Sequence, residues 1–158
     1  MIIDGRKIDN LHPPYIIAEM SGNHGGSLEN AKKIIKSAKN VGADAIKIQT
    51  YSPDTMTINC SNNHFVVSDG LWAGRTLYDL YCEAHTPFEW HEDLYNEADK
   101  YGITIFSTPF DSTAVELLER LNSPAYKIAS ADLVDLPLIS EVCKTKKPLV
   151  ISTGASKT

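Results

Sequence analysis

"ITIFSTPFDSTAVELLERLNSPAYKIAS", residues 103–130, reads as a strand (ITIFST), a helix (DSTAVELLERLN) and a second strand (AYKIAS). A strand, a helix and a strand in so few residues make one compact βα unit, and such units build parallel sheets. The next unit has the same dimensions, with helix LPLISEVCKT at 136–145 and strand PLVIST at 148–153. Thr108, Ser130 and Ser152 each stand at the C-terminal end of a strand and are spaced 22 positions apart.

The same alternation extends towards the N-terminus. "PPYIIAEM" (13–20) is a short apolar run, and "SLENAKKIIKSAKNVGAD" (27–44) switches to helical spacing through Leu28, Ala31, Ile34, Ile35, Ala38 and Val41. Ser27 suits the N-cap, Glu29 the first turn and Gly42 the C-terminal stop. "DAIKIQT" (44–50) is the next strand. About 35 residues then pass before "TPFEWHEDLYNEADKYG" (86–102), a helix for which Thr86 and Glu89 form a capping box with Pro87 at the first position. The intervening segment is too long for an ordinary loop and holds an amphipathic helix through Leu77, Leu80, Tyr81 and Ala84.

Four strand-helix units and a fifth strand result. An open doubly wound sheet and part of a (β/α)8 barrel both fit, and both place function at the C-terminal ends of the strands. The recurring polar residues at those ends favour the barrel. A whole barrel typically takes about 250 residues, so the 158 residues ending in "STGASKT" are expected to be roughly its first half, an α/β N-terminal portion with parallel strands.

Composition narrows the partners. The apolar share is 42% and the formal charge is -5, from 20 acidic and 15 basic side chains without a basic run. Neither nucleic acid nor an anionic membrane is the expected partner. The N-terminus is too polar for a signal peptide, and nothing approaches the roughly 20 apolar residues of a membrane span, so a cytoplasmic location is expected. Cys60, Cys82 and Cys143 form no CxxC pair or disulfide framework and are expected to be reduced.

Parity along the strands sorts the side chains. Ala45, Lys47 and Gln49 share one face and Ile46 and Ile48 the other; Lys127 opposes Tyr126 and Ile128; Thr108 shares a face with Phe106, and Ser152 with Val150. The isoleucines belong under the helices, which leaves two lysines and several hydroxyls converging on the other face. Such a face suits a phosphate or carboxylate, because fixed cations and donors neutralise the anion where burial strengthens each contact. The alternative is that each lysine pairs with a carboxylate such as Glu19 or Asp132. The loop "SGNHGGS" (21–27) lacks the lysine and hydroxyl of a P-loop and the glycine spacing of a dinucleotide fingerprint, so a tight turn braced by Asn23 and His24 explains it equally well. The remaining histidines show no metal-ligand spacing. Arg75 and His85, in the long segment, are candidate ligand contacts.

Five ordered stretches, "IIAEMSGNHGGS", "GADAIKIQTY", "FSTPFD", "AYKIAS" and "LVISTG", resemble the sialic acid synthase family through nearly the whole chain. Within it, "GLWAGRTLYDLYCEAHTPFEWH" (70–91) resembles the long second βα segment of the members that make pseudaminic acid rather than N-acetylneuraminate. The resemblance implies condensation of phosphoenolpyruvate with an open-chain acetamido sugar, here 2,4-diacetamido-2,4,6-trideoxy-altrose, giving a nonulosonic acid and phosphate. N-acetylneuraminate and legionaminate synthases are alternatives with the same chemistry. A non-catalytic half-barrel that binds an anion or associates with itself is an alternative of another class. The family pattern carries phosphoenolpyruvate contacts onto Lys47, Thr108, Lys127, Ser130 and Ser152, with Gln49 in the same strand motif, and a catalytic carboxylate near the sugar onto Glu19. Asp132 stands where the family usually has glutamate, with a shorter side chain in the corresponding catalytic position. The resemblance further implies a divalent metal, Mn2+ or Mg2+, whose ligands lie beyond this chain, a C-terminal antifreeze-like domain also beyond it, and a homodimer of the full-length protein. By itself this portion is expected to be inactive.

Overall fold

The structure, a computed structural model, describes residues 1–154. Its main sheet has five parallel strands in sequential order: β3 (Ile17–Glu19), β4 (Ala45–Thr50), β5 (Thr104–Pro109), β6 (Tyr126–Ile128) and β7 (Leu149–Ile151). A doubly wound sheet reverses its strand order at a switch point, whereas a barrel does not. Of the two architectures compatible with the alternating strands and helices, the sequential order selects the barrel, here as a curled half.

Helices α1 (Leu28–Asn40), α4 (His91–Tyr101), α5 (Ser112–Arg120) and α6 (Leu136–Lys144) cover the outer face. As parity predicts, Ile46 and Ile48 are fully buried with Ile35 of α1, Leu94 and Ala98 of α4, and Ile105. Tyr126 and Ile128 form a second cluster with Val115, Leu118, Leu138 and Val142. The predicted limits of α1 hold: the Ser27 hydroxyl accepts from the Asn30 amide, and Gly42, at φ +85°, turns the chain out of the helix.

The N-terminal residues, read from the sequence only as too polar for a leader, form a hairpin of β1 (Ile2–Ile3) and β2 (Arg6–Lys7). Asp4 and Gly5 both take positive φ, the conformation that a tight two-residue hairpin turn demands. Ile3 is thereby buried against Ala45, Phe106 and Ala125 on the inner face, floored by Tyr15 and Ile17. The floor of the half-barrel at its N-terminal end is thus apolar, with the Arg6–Asp44 ion pair and the Thr104–Asp4 hydrogen bond at its rim.

The long excursion after β4 carries α2 (Pro53–Met56) and α3 (Leu77–Ala84), the latter capped by the Thr76 hydroxyl at 3.1 Å from the Asp79 amide. Here one expectation is corrected. Thr86 does not cap the following helix, because residues 88–90 form a separate 3-10 turn and α4 starts only at His91. The buried Thr86 hydroxyl lies 3.4 Å from His24 Nε2 instead. The His91 ring donates from Nδ1 to the Pro87 carbonyl at 3.0 Å and places Nε2 2.8 Å from the Thr50 hydroxyl. Since a carbonyl only accepts, Nδ1 carries the proton and Thr50 donates to Nε2. The Ser107 hydroxyl lies 2.6 Å from that of Thr50 and 3.2 Å from the Ile48 carbonyl, which accepts from it. Among the described residues no helix is long and apolar enough to cross a membrane.

Candidate active site

Parallel pairing puts Glu19 of β3 directly beside Lys47 of β4, and Gln49 beside Thr108 of β5. Lys47 reaches the inner face with only 11% of its side chain exposed and forms an ion pair with Glu19 Oε2. Its ammonium also lies 3.4 Å from the Thr108 hydroxyl, itself buried. The other oxygen of Glu19 accepts from the Ser21 amide at 3.2 Å and the Ser21 hydroxyl at 2.9 Å. Ser21 carries φ +46°, so the turn after β3 is bent back to hold the carboxylate. Ser21 does not stand out in the sequence, since a serine beside glycine reads as turn material.

Lys127, on β6, answers the question of partners differently. Lys47 satisfies the carboxylate-pairing alternative, but Lys127 has no ion pair or hydrogen bond among the described residues. Burial depresses its pKa first and the positive charge of Lys47 adds to that, against the opposing pull of Glu19 and Asp132. All four charges therefore share one electrostatic neighbourhood. Asp132, in the 3-10 turn 130–134 that follows β6, has a buried Oδ2 without a hydrogen-bond partner. Burial, reinforced by the carboxylate of Asp135, raises its pKa, and Lys127 works against that rise.

Ser130 and Ser152 come together through the backbone. The Ser152 amide donates to the Ile128 carbonyl at 3.1 Å, and Gly154, at φ +50°, lies so close that a Cβ there would stand 2.5 Å from Ser130 Cβ. Gly154 is thus a positioning residue that the STG motif conceals among ordinary turn residues. Gln49 is half-buried beside Thr108. Arg75 stands apart: it pairs with Glu83 at 2.6 Å and reaches the Asp79 carbonyl at 3.5 Å, and neither contact touches the lysine cluster. His85 turns its Nδ1 back to the Cys82 carbonyl at 2.8 Å. His24 braces its loop as expected, accepting from the Gly26 amide at 3.1 Å.

The arrangement can bind an anion at the C-terminal ends of β4, β5, β6 and β7, with one cation ready and a second released if Glu19 yields it. Among the described residues no three His, Cys, Asp or Glu side chains converge as a metal-binding set.

Known proteins share this frame. The chain is 48% identical over 144 residues to pseudaminic acid synthase of Helicobacter pylori, covering 91% of this chain and 42% of that protein. It is 51% identical over 140 residues to pseudaminic acid synthase of Campylobacter jejuni, covering 89% and 41%. The chain therefore spans about two fifths of the length of these curated relatives. A crystal structure of N-acetylneuraminic acid (sialic acid) synthetase from Leptospira borgpetersenii, in complex with citrate, superposes with a TM-score of 0.85 at 26% identity, over 100% of this chain and 50% of that one. The NeuB family model matches residues 34–158, the stretch that holds both lysines, Asp132 and the hydroxyls of Thr108, Ser130 and Ser152, and the chain belongs to the NeuB family.

Proposed function

We propose that this chain supplies the phosphoenolpyruvate-binding part of a nonulosonic acid synthase whose acceptor is 2,4-diacetamido-2,4,6-trideoxy-altrose and whose products are pseudaminic acid and phosphate. The observation that carries the reading is Lys127, half-buried, facing Lys47 and without a protein partner among the described residues. A cation in that position is relieved by an anion, and the Thr108, Ser130 and Ser152 hydroxyls supply neutral donors around it. The higher identity to the two pseudaminic acid synthases than to the sialic acid synthetase supports the choice of sugar.

In the reaction, C3 of phosphoenolpyruvate forms a carbon-carbon bond with the sugar aldehyde, whose oxygen takes up a proton. Water adds to the resulting cationic C2 and loses a proton, and phosphate departs with cleavage of the C-O bond. The sum is phosphoenolpyruvate, aldose and water giving the 2-keto sugar acid and inorganic phosphate. Lys47 and Lys127 hold the phosphate and carboxylate throughout. Glu19, oriented by Ser21, is placed to accept the proton of the attacking water, and Asp132, with its raised pKa, to donate one to the aldehyde oxygen. A divalent cation, manganese or magnesium, with ligands outside the described residues, a homodimer and a cytoplasmic setting belong to the same reading.

The test is phosphate release by the full reading frame that contains this chain, with phosphoenolpyruvate, manganese and either the diacetamido altrose sugar or N-acetylmannosamine. Release with the altrose sugar is expected. Release only with N-acetylmannosamine would replace the acceptor, and no release with either would overturn the synthase reading.

A further inference from the structure

The excursion between β4 and α4 does more than connect them. It closes over a cavity of about 420 Å³ whose walls include Tyr51, Val67, Trp72, Leu80 and Tyr81. Tyr51 directly follows β4, the strand of Lys47, and is held edge-on between Tyr81 and Phe110, with ring centroids 5.8 and 5.5 Å away. Across the cavity stands Gly22, which follows the Ser21 that holds Glu19. A Cβ on Gly22 would meet the Ala84 carbonyl oxygen at 2.9 Å, so the β3–α1 loop and the end of α3 are in backbone contact. The loop whose Ser21 holds Glu19 therefore also contributes Gly22 to the wall of the cavity.

Its chemistry is one-sided. The charged group in the lining is the carboxylate of Glu83, already paired with Arg75, and the walls are aromatic and aliphatic. A phosphorylated or richly hydroxylated sugar end would lose hydration there without replacement partners. A methyl group loses nothing and gains burial.

We propose that this cavity receives an apolar substituent of the acceptor sugar, an acetamido methyl or the methyl of a deoxy carbon, and that Val67, Trp72 and Leu80 determine which acceptor is used. The inference rests on the synthase reading and extends it to specificity. On this inference, a sugar whose aldehyde is bound near Glu19 and Lys47 reaches the cavity by way of the Ser21–Gly22 loop, which touches both.

Steady-state kinetics of the full reading frame, with each substrate varied in turn, tests it. Val67→Trp fills the cavity and should raise KM for the sugar at least tenfold, with KM for phosphoenolpyruvate changed less than twofold. That second constant also shows that the variant is folded. Leu80→Ala enlarges the cavity and should reduce the preference for the diacetamido sugar over N-acetylmannosamine about tenfold, the order of discrimination one buried carbon group gives. An active wild type whose variants keep both the sugar KM and the preference overturns the cavity assignment alone. If Val67→Trp does not fold, the preference of Leu80→Ala decides. A wild type that turns over neither sugar overturns the synthase reading, and the inference falls with it.

Discussion

Glu19 and Lys47 are register partners on adjacent parallel strands, and their ion pair closes on the inner face of the half-barrel while Ser21 holds the second carboxylate oxygen. Without a bound anion, Glu19 thus competes with the ligand for the ammonium. Glu19→Gln should tighten binding of phosphoenolpyruvate about fivefold, roughly 1 kcal/mol, while turnover collapses. Lys47→Ala should weaken binding by about 2 kcal/mol. Calorimetric titration measures both, and weaker binding by the glutamine variant would mean that Glu19 orients Lys47 instead of competing for it.

Lys127 sits near a second cation, with burial and that charge both depressing its pKa. Lys127→Met should therefore stabilise the folded chain by about 1 kcal/mol at neutral pH and weaken anion binding about tenfold. With a depressed folded pKa, the unfolded state binds the proton more tightly, so wild-type stability should climb relative to the variant as the pH rises towards 10.5. Urea unfolding at neutral and alkaline pH checks the sign.

Asp132 gives the opposite slope. A raised folded pKa makes its contribution most favourable below the ordinary value of 3.8 and lost as pH rises through the folded value. Asp132→Asn should raise the thermal midpoint slightly at pH 7, with the difference vanishing near pH 3. An unchanged midpoint at pH 7 would mean that water satisfies the orphaned Oδ2.

His91 is buried and neutral, its pKa brought down from 6.5 to about 4 by desolvation. As pH falls from 6.5 to about 4 the unfolded chain takes up a proton that the folded chain refuses, at a cost of roughly 3 kcal/mol. His91→Gln should remove most of that acid sensitivity. Comparing urea midpoints at pH 7 and pH 4.5 decides, and parallel losses in both proteins would assign the effect to other groups.

Gly154→Ala would force a Cβ against Ser130 at 2.5 Å from a backbone already at φ +50°. Ser130 and Ser152 should move apart, phosphoenolpyruvate affinity should drop at least tenfold, and the unfolding midpoint should fall by a few degrees because alanine at positive φ is strained. Full affinity in the alanine variant would remove the two serines from the anion site.

Much of the fold is legible because strand parity is local. Ile46 and Ile48 against Lys47 and Gln49 sort the two faces without any long-range information, and the 22-residue spacing of Thr108, Ser130 and Ser152 marks the strand ends. The pairing of Lys47 with Glu19 and the isolation of Lys127 depend on register between strands that are 28 and 80 residues apart, Glu19 to Lys47 and Lys47 to Lys127. Periodicity cannot distinguish those outcomes. The Asp-Gly pair at 4–5 is a local hairpin signal, masked by flanking strands of only two residues each. Thr86 fails as a cap because a 3-10 turn at 88–90 delays the helix to His91, leaving the Thr86 hydroxyl beside the distant His24 ring. Arg75 reads as a free cation in a long loop, yet the helix it precedes supplies Glu83 as its partner.

The hydrogen bond between Thr50 and His91 spans 41 positions and lies buried where the excursion leaves and rejoins the barrel. With its two ends fastened in this way, the segment between them can lengthen, shorten or be exchanged with little entropic cost, because loop closure depends only weakly on length. β4 and α4, on either side of the insert, stay joined whatever its length. On the proposed reading, a lineage could revise which acceptor it takes by editing one insert, while the strands beneath stay fixed.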